Sequence, residues 1–90
     1  MEEIITKVFT IGNELGLHAR AAASFVKVVN RFKSKVSVKK DSVTVNGKSI
    51  MGVLMLAAAK GSKIEVTATG DDASILIKEV EKLILNNFGE

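Results

Sequence analysis

Two periodicities alternate along the 90-residue chain. Residues 3–11 are dense in β-branched and aromatic side chains and predict a strand. Ile5, Phe9 and Ile11 form one period-two set and Ile4 and Val8 the other; the pattern does not say which set is buried. Gly12-Asn13 breaks the strand, and Gly16 lies in the following loop. From Ala19 the period changes: Ala22, Phe25, Val26, Val29 and Phe32 make one helical stripe. Arg20, Ser24, Lys27 and Arg31 mark the opposite side, so a basic row runs along the exposed face of the predicted helix.

Alternation returns at Lys35–Lys39 and again at Val43 and Val45, with Lys40-Asp41-Ser42 as the turn of a hairpin that Asn46-Gly47 ends. Residues 49–57 are apolar nearly all round. They predict a helix of two to three turns, with Ser49 as its N-cap and Gly61 as its stop. Val53, Leu56 and Ala57 are expected inward, and Ile50, Met51 and Leu54 partly outward as a docking patch. Residues 63–69 alternate with Ile64, Val66 and Ala68 inward. Asp71 or Asp72 is expected to cap a last helix whose apolar face is Ala73, Leu76, Ile77, Val80, Leu83, Ile84 and Phe88. Lys78, Glu79, Glu81 and Lys82 form its wet side.

The order β-α-β-β-α-β-α predicts an α+β fold, in which a four-stranded antiparallel sheet carries its three helices on one face and leaves the other open to water. The length predicts one domain over residues 1–90. Such a domain buries only roughly 60–65% of its unfolded surface, too little to enclose a deep cavity. Chemistry is therefore expected at the surface, completed by a partner.

Composition narrows the chemistry. No cysteine is present, which excludes disulfides and thiolate metal sites and suits a reducing cytoplasm. One histidine cannot build a multi-histidine metal centre, and no metal or cofactor is expected. The acidic start Met1-Glu2-Glu3-Ile4 does not read as a signal peptide. No run approaches the roughly 20 apolar residues of a membrane helix, so no membrane insertion is expected. A net charge of +3 suits an acidic partner. With neither Tyr nor Trp, base-stacking platforms are scarce and direct nucleic-acid binding is disfavoured.

The single histidine, His18, stands where the helical pattern begins. At a helix start the first amides lack partners and the dipole is positive, so an anion such as phosphate is stabilised there. Arg20 adds a guanidinium able to grip phosphate oxygens in bidentate fashion. A neutral imidazole at that position presents a nucleophilic nitrogen that can accept a phosphoryl group. Phosphoryl transfer asks chiefly for positioning and charge stabilisation, which a small surface site can supply. Taken by residue type alone, a single loop histidine is most often an ordinary surface residue, and a His-x-Arg step is common by chance. A basic α+β domain binding RNA or a small regulatory ligand is a second reading.

The wider motifs decide between these. Gly16-Leu17-His18-Ala19-Arg20-Ala21-Ala22 closely resembles the active-site signature of the HPr family, the histidine-containing phosphocarriers of the bacterial phosphoenolpyruvate-dependent sugar phosphotransferase system. Asn46-Gly47-Lys48-Ser49-Ile50-Met51-Gly52-Val53-Leu54 resembles the family's regulatory serine motif. The resemblance covers essentially the whole chain. It implies an open-faced β-sandwich, with His18 phosphorylated on Nδ1 by phospho-enzyme I and discharged to sugar-specific IIA proteins or domains. Arg20 would stabilise the phosphohistidine. Ser49 would be the target of an ATP-dependent HPr kinase/phosphorylase in organisms that have one, and its phosphorylation would address a catabolite-control regulator.

Ala19, Lys27, Arg31, Lys48, Ile50, Met51 and Leu54 are the expected partner surface, and a relay docking on two partners in turn is best served by a monomer. Relatives that use only the serine lack the histidine, which this chain keeps. It departs from the family at Ala21, where proline usually follows the arginine. Alanine preserves helix propensity and removes no charge-stabilising group, so phosphotransfer is expected to survive. The same departure leaves a nitrogen-related branch of the family open.

Overall fold

The computed structural model describes residues 2–90; Met1, read above as part of the acidic start, lies outside the described residues. Strand β1 (Glu3–Thr10) is followed by helix α1 (Ala19–Val29), strands β2 (Lys35–Lys40) and β3 (Val43–Asn46), helix α2 (Ile50–Met55), strand β4 (Lys63–Gly70) and helix α3 (Ala73–Leu85), with a 3-10 turn at Asn87–Gly89. The strands form one antiparallel sheet in the order β1-β4-β2-β3. Its two central strands, β4 and β2, bury Ile64, Val66, Ala68, Val36 and Val38 against the helices. The architecture is the expected open-faced α+β sandwich.

Pairing settles the choice on β1. Phe9 and, just past the strand, Ile11 are buried, and Ile5 packs against the core. Ile4 opposes Thr69 and Val8 opposes Glu65 on the open face, where both are exposed. Lys7 shares the inward parity, yet its long stem carries its ammonium to Glu81 on α3. Its charge therefore stays at the sheet edge while its neighbours enter the core.

Several expected boundaries move. α1 ends at Val29 because the chain tightens into i→i+3 bonds, Arg31 N to Val28 O and Phe32 N to Val29 O. Arg31 therefore lies past the helix, and the basic row does not continue to it. α2 stops after Met55, with Leu56 at its C-cap and Ala57 in the left-handed region at φ 50°. Gly61, expected to end this helix, instead supplies φ 89° to the turn before β4. Ala57 points outward, and Ala58 takes the core position beside Val53 and Leu56.

Asp72 occupies the N-cap position of α3 but does not cap it with its side chain. Its carboxylate accepts instead from Lys33 N (2.9 Å), Ser34 N (3.0 Å) and Ser34 Oγ. Those three bonds pin the entry to β2 against the start of α3. The Ser34 hydroxyl and then the Lys33 amide hold the Asp72 carboxyl below the usual aspartate range.

Candidate functional site

The loop between β1 and α1 delivers His18. Gly16 adopts φ 65°, and a Cβ there would lie 2.3 Å from the Ala58 carbonyl oxygen. Leu17 N donates to that same oxygen at 2.8 Å, and the Leu17 side chain is buried. The loop is thus stapled to the segment after α2, and the next residue must turn outward. His18 is extended (φ −73°, ψ 177°) and is the N-cap of α1: its carbonyl accepts the first helical bond from Ala22 N at 2.9 Å. Arg20 N donates to His18 Nδ1 at 3.3 Å.

The opposite ring nitrogen faces Glu90, with Nε2 of His18 against Oε2 of the carboxylate. The other oxygen, Oε1, accepts from Asn13 Nδ2 at 2.8 Å. The same amide nitrogen donates to the Gly16 carbonyl at 2.7 Å. The Asn13 bond is the main cause holding the Glu90 carboxyl below the usual glutamate range; contact with His18 and the charge of Arg20 act the same way, and burial opposes them. Glu14, nearby in the loop, is paired with Lys60.

Arg20 is exposed beside the histidine at the head of α1, and Ala19 is exposed next to it. The charge of Arg20 bears on the Glu90 carboxylate across the histidine. Among the described residues no three His, Cys, Asp or Glu side chains converge as a metal site would require. No helix of the described residues is long and apolar enough to cross a membrane.

Ser49 caps α2 as expected, its Oγ accepting from Gly52 N at 3.0 Å. α2 packs against α1, which sets the serine helix beside the histidine helix. Ile50 and Met51 are exposed, Leu54 is half-buried against the core, and Met55 adds an exposed side chain that the apolar pattern did not separate from the core. Leu15 in the histidine loop is likewise exposed. Lys27 is exposed on α1. Lys48 is not a free surface charge: its ammonium donates to the Phe32 carbonyl at 2.6 Å and ties the start of α2 to the turn after α1. Of the four phenylalanines, Phe9, Phe25 and Phe88 are buried and Phe32 is half-buried against the core.

Asn13 and Glu90 carry no local signal in the sequence that marks them as site residues. Asn13 reads there only as a strand breaker. Glu90 lies 72 positions from His18, and no local periodicity connects them.

The model of the PTS HPr component phosphorylation site matches residues 5–86, and the chain belongs to the HPr family of the phosphotransferase system. Phosphocarrier protein HPr of Neisseria meningitidis serogroup A is 50% identical over 78 residues, covering 87% of this chain and 88% of that protein. A crystal structure of HPr-C-His from Thermoanaerobacter tengcongensis superposes with a TM-score of 0.92 at 42% identity, covering 96% of this chain and 97% of the other. A structure from the same organism described as an HPr dimer gives 0.77 at 44% identity, covering 91% and 94%.

Proposed function

We propose that this chain accepts a phosphoryl group from phospho-enzyme I on Nδ1 of His18 and passes it to sugar-specific IIA proteins or domains. The observation that carries the reading is the placement of His18 as N-cap of α1, with Nδ1 turned toward the Arg20 amide. A phosphoryl group on Nδ1 meets the unpartnered amides of the first turn, where an anion gains roughly 0.3–1 kcal/mol from the helix dipole. The Arg20 guanidinium closes over the phosphoryl oxygens from outside. The contact from Arg20 N, at 3.3 Å, is long enough to yield readily to the incoming phosphorus.

Docking falls to the apolar side chains around the site. Ile50, Met51 and Leu54, with Met55 and Leu15, form the contact surface, and Ala19 leaves the approach to the ring open. Lys27 and Arg31, both exposed, steer acidic partners, Arg31 from the turn that follows α1. The carrier works as a monomer in the cytoplasm.

Ser49 is a second phosphorylation site, used by an HPr kinase/phosphorylase. Its hydroxyl sits at the positive end of α2, where a phosphate is tolerated electrostatically. The added charge beside Ile50, Met51 and Leu54 weakens apolar docking of one partner and offers a charged contact to a catabolite-control regulator.

Incubation with phosphoenolpyruvate and catalytic enzyme I, followed by intact mass measurement, tests the first claim. One acid-labile phosphoryl addition is expected; no addition refutes it. With HPr kinase and ATP, an acid-stable addition lost in Ser49→Ala is expected, and its absence leaves Ser49 a cap.

A further inference from the structure

We propose that Glu90 is a positioning residue for His18: held by Asn13, its carboxylate accepts the Nε2 proton's hydrogen bond, leaving the Nδ1 lone pair free for phosphorus and balancing the ring's charge during transfer. This role rests on the phosphocarrier reading above.

The two ring contacts agree on one tautomer. A backbone amide can only donate, so the nitrogen facing Arg20 N, Nδ1, is the acceptor. An ionised carboxylate can only accept, so the nitrogen facing Glu90, Nε2, bears the proton. The partner of one nitrogen thereby fixes what the other can do.

Glu90 is itself oriented. Asn13 is buried at 4% exposure, and its amide nitrogen spends its two hydrogens on Gly16 O and Glu90 Oε1. A flipped amide would turn its oxygen toward two acceptors, so the bonds define the orientation. Asn13 keeps this arrangement although its own Oδ1 is buried with no hydrogen-bond partner among the described residues. A buried polar atom left in that condition carries a cost, and the relay from Gly16 to Glu90 offsets it. Gly16 belongs to the stapled loop that delivers His18, so imidazole and carboxylate are referenced to the same backbone. The His18 and Glu90 side chains are 26% and 23% exposed, so their interaction is only partly screened.

The transfer step balances. The Nδ1 lone pair forms the N–P bond as the donor's P–N bond breaks, and that electron pair returns to the donor imidazole. Positive charge grows on the His18 ring, whose Nε2 keeps its proton. The Glu90 carboxylate faces that proton on the far side of the ring from the phosphoryl group. A glutamate carboxyl is ionised at neutral pH, and the Asn13 bond favours that form further. The logic is that of a carboxylate orienting a reacting histidine through its second nitrogen. Arg20 is the other charge facing Glu90, and Glu14 of the same loop is neutralised by Lys60.

The test compares wild type, Glu90→Ala and Glu90→Gln in two measurements. Ring 15N chemical shifts report the tautomer directly and need no phosphoryl transfer. The initial rate of uptake from phosphoenolpyruvate with limiting enzyme I reports function. Wild type is expected as the Nε2–H tautomer. Glu90→Ala should become a tautomer mixture and lose about 10- to 100-fold in rate, the usual scale for removing a residue that orients a reacting histidine. Glu90→Gln should hold the tautomer through its carbonyl oxygen while remaining slower than wild type, because it carries no charge.

An unchanged tautomer in Glu90→Ala overturns the positioning role whatever the rate does. A faster Glu90→Ala also overturns it, because the carboxylate would then be repelling the incoming phosphoryl group. Wild-type speed in Glu90→Gln overturns the charge-balancing part. A wild-type protein that takes up no phosphoryl group refutes the carrier reading itself, and is distinguished by its intact tautomer signal.

Discussion

Gly16 and Ala58 approach so closely that a Cβ on the glycine would stand 2.3 Å from the Ala58 carbonyl oxygen. That contact joins the loop carrying His18 to the chain leaving α2, and so to the helix capped by Ser49. The two motifs of the family are mechanically one unit here. Gly16→Ala should cost about 1–2 kcal/mol for the left-handed backbone alone, with a further loss from displacing backbone at Ala58. Urea unfolding measures the first effect. Slower phosphoryl uptake in the folded fraction measures the shift of His18.

Ala57 poses the opposite case. It is exposed, and it holds φ 50° without the benefit of being glycine. Ala57→Gly relieves left-handed strain while adding freedom to the unfolded chain, for a net gain of about 0.5–1 kcal/mol. A higher urea midpoint with an unchanged slope is the expected result; a lower midpoint would mean that the Ala57 methyl group makes a contribution the fold does not reveal.

These two residues also mark how far the sequence can be read. Strands with clean alternation, such as Lys63–Thr69, and helices with a full apolar stripe, such as α1 from Ala19, announce themselves because burial imposes the period. His18 and Ser49 were legible as caps because a helix start is a local event. The end of α2 was not. Gly61 is the residue chemically suited to stop a helix, but the chain turns at Ala57, since the segment after α2 must meet Gly16 and Leu17 from the distant loop. The helical period extrapolates to Arg31, but terminal 3-10 bonds cut the helix short before it. The sequence offers Asp71 or Asp72 as the cap of the last helix; Asp72 takes the N-cap position, but its carboxylate caps the entry to β2, 38 positions away at Ser34. Asn13 and Glu90 meet only after the whole chain has folded. What a residue does across the fold leaves no trace in its neighbours.

Asp72 sets part of the acid stability. Its carboxyl pKa is lowered on folding, so ionised Asp72 stabilises the native state at every pH above the ordinary aspartate value near 3.9. That contribution disappears as pH falls through the lower folded value. Asp72→Asn keeps an oxygen that, in the place of Oδ1, still accepts from Ser34 N and Ser34 Oγ, but it loses the acceptor for Lys33 N and the charge. It should lower stability at neutral pH and flatten the fall of stability below about pH 4. Thermal melts from pH 7 to pH 2 follow both. Parallel curves for the two proteins would contradict the assignment.

Where the phosphoryl group resides is the central question. The decisive measurement is phosphorylation by phosphoenolpyruvate and catalytic enzyme I, with site-resolved 31P and 15N spectra of the product and a parallel reaction on His18→Ala. One acid-labile phosphoryl group on Nδ1 of His18, transferable to a IIA acceptor and absent in His18→Ala, is the predicted result. A wild-type chain that stays unmodified beside an active enzyme I, or one modified equally in His18→Ala, would contradict it.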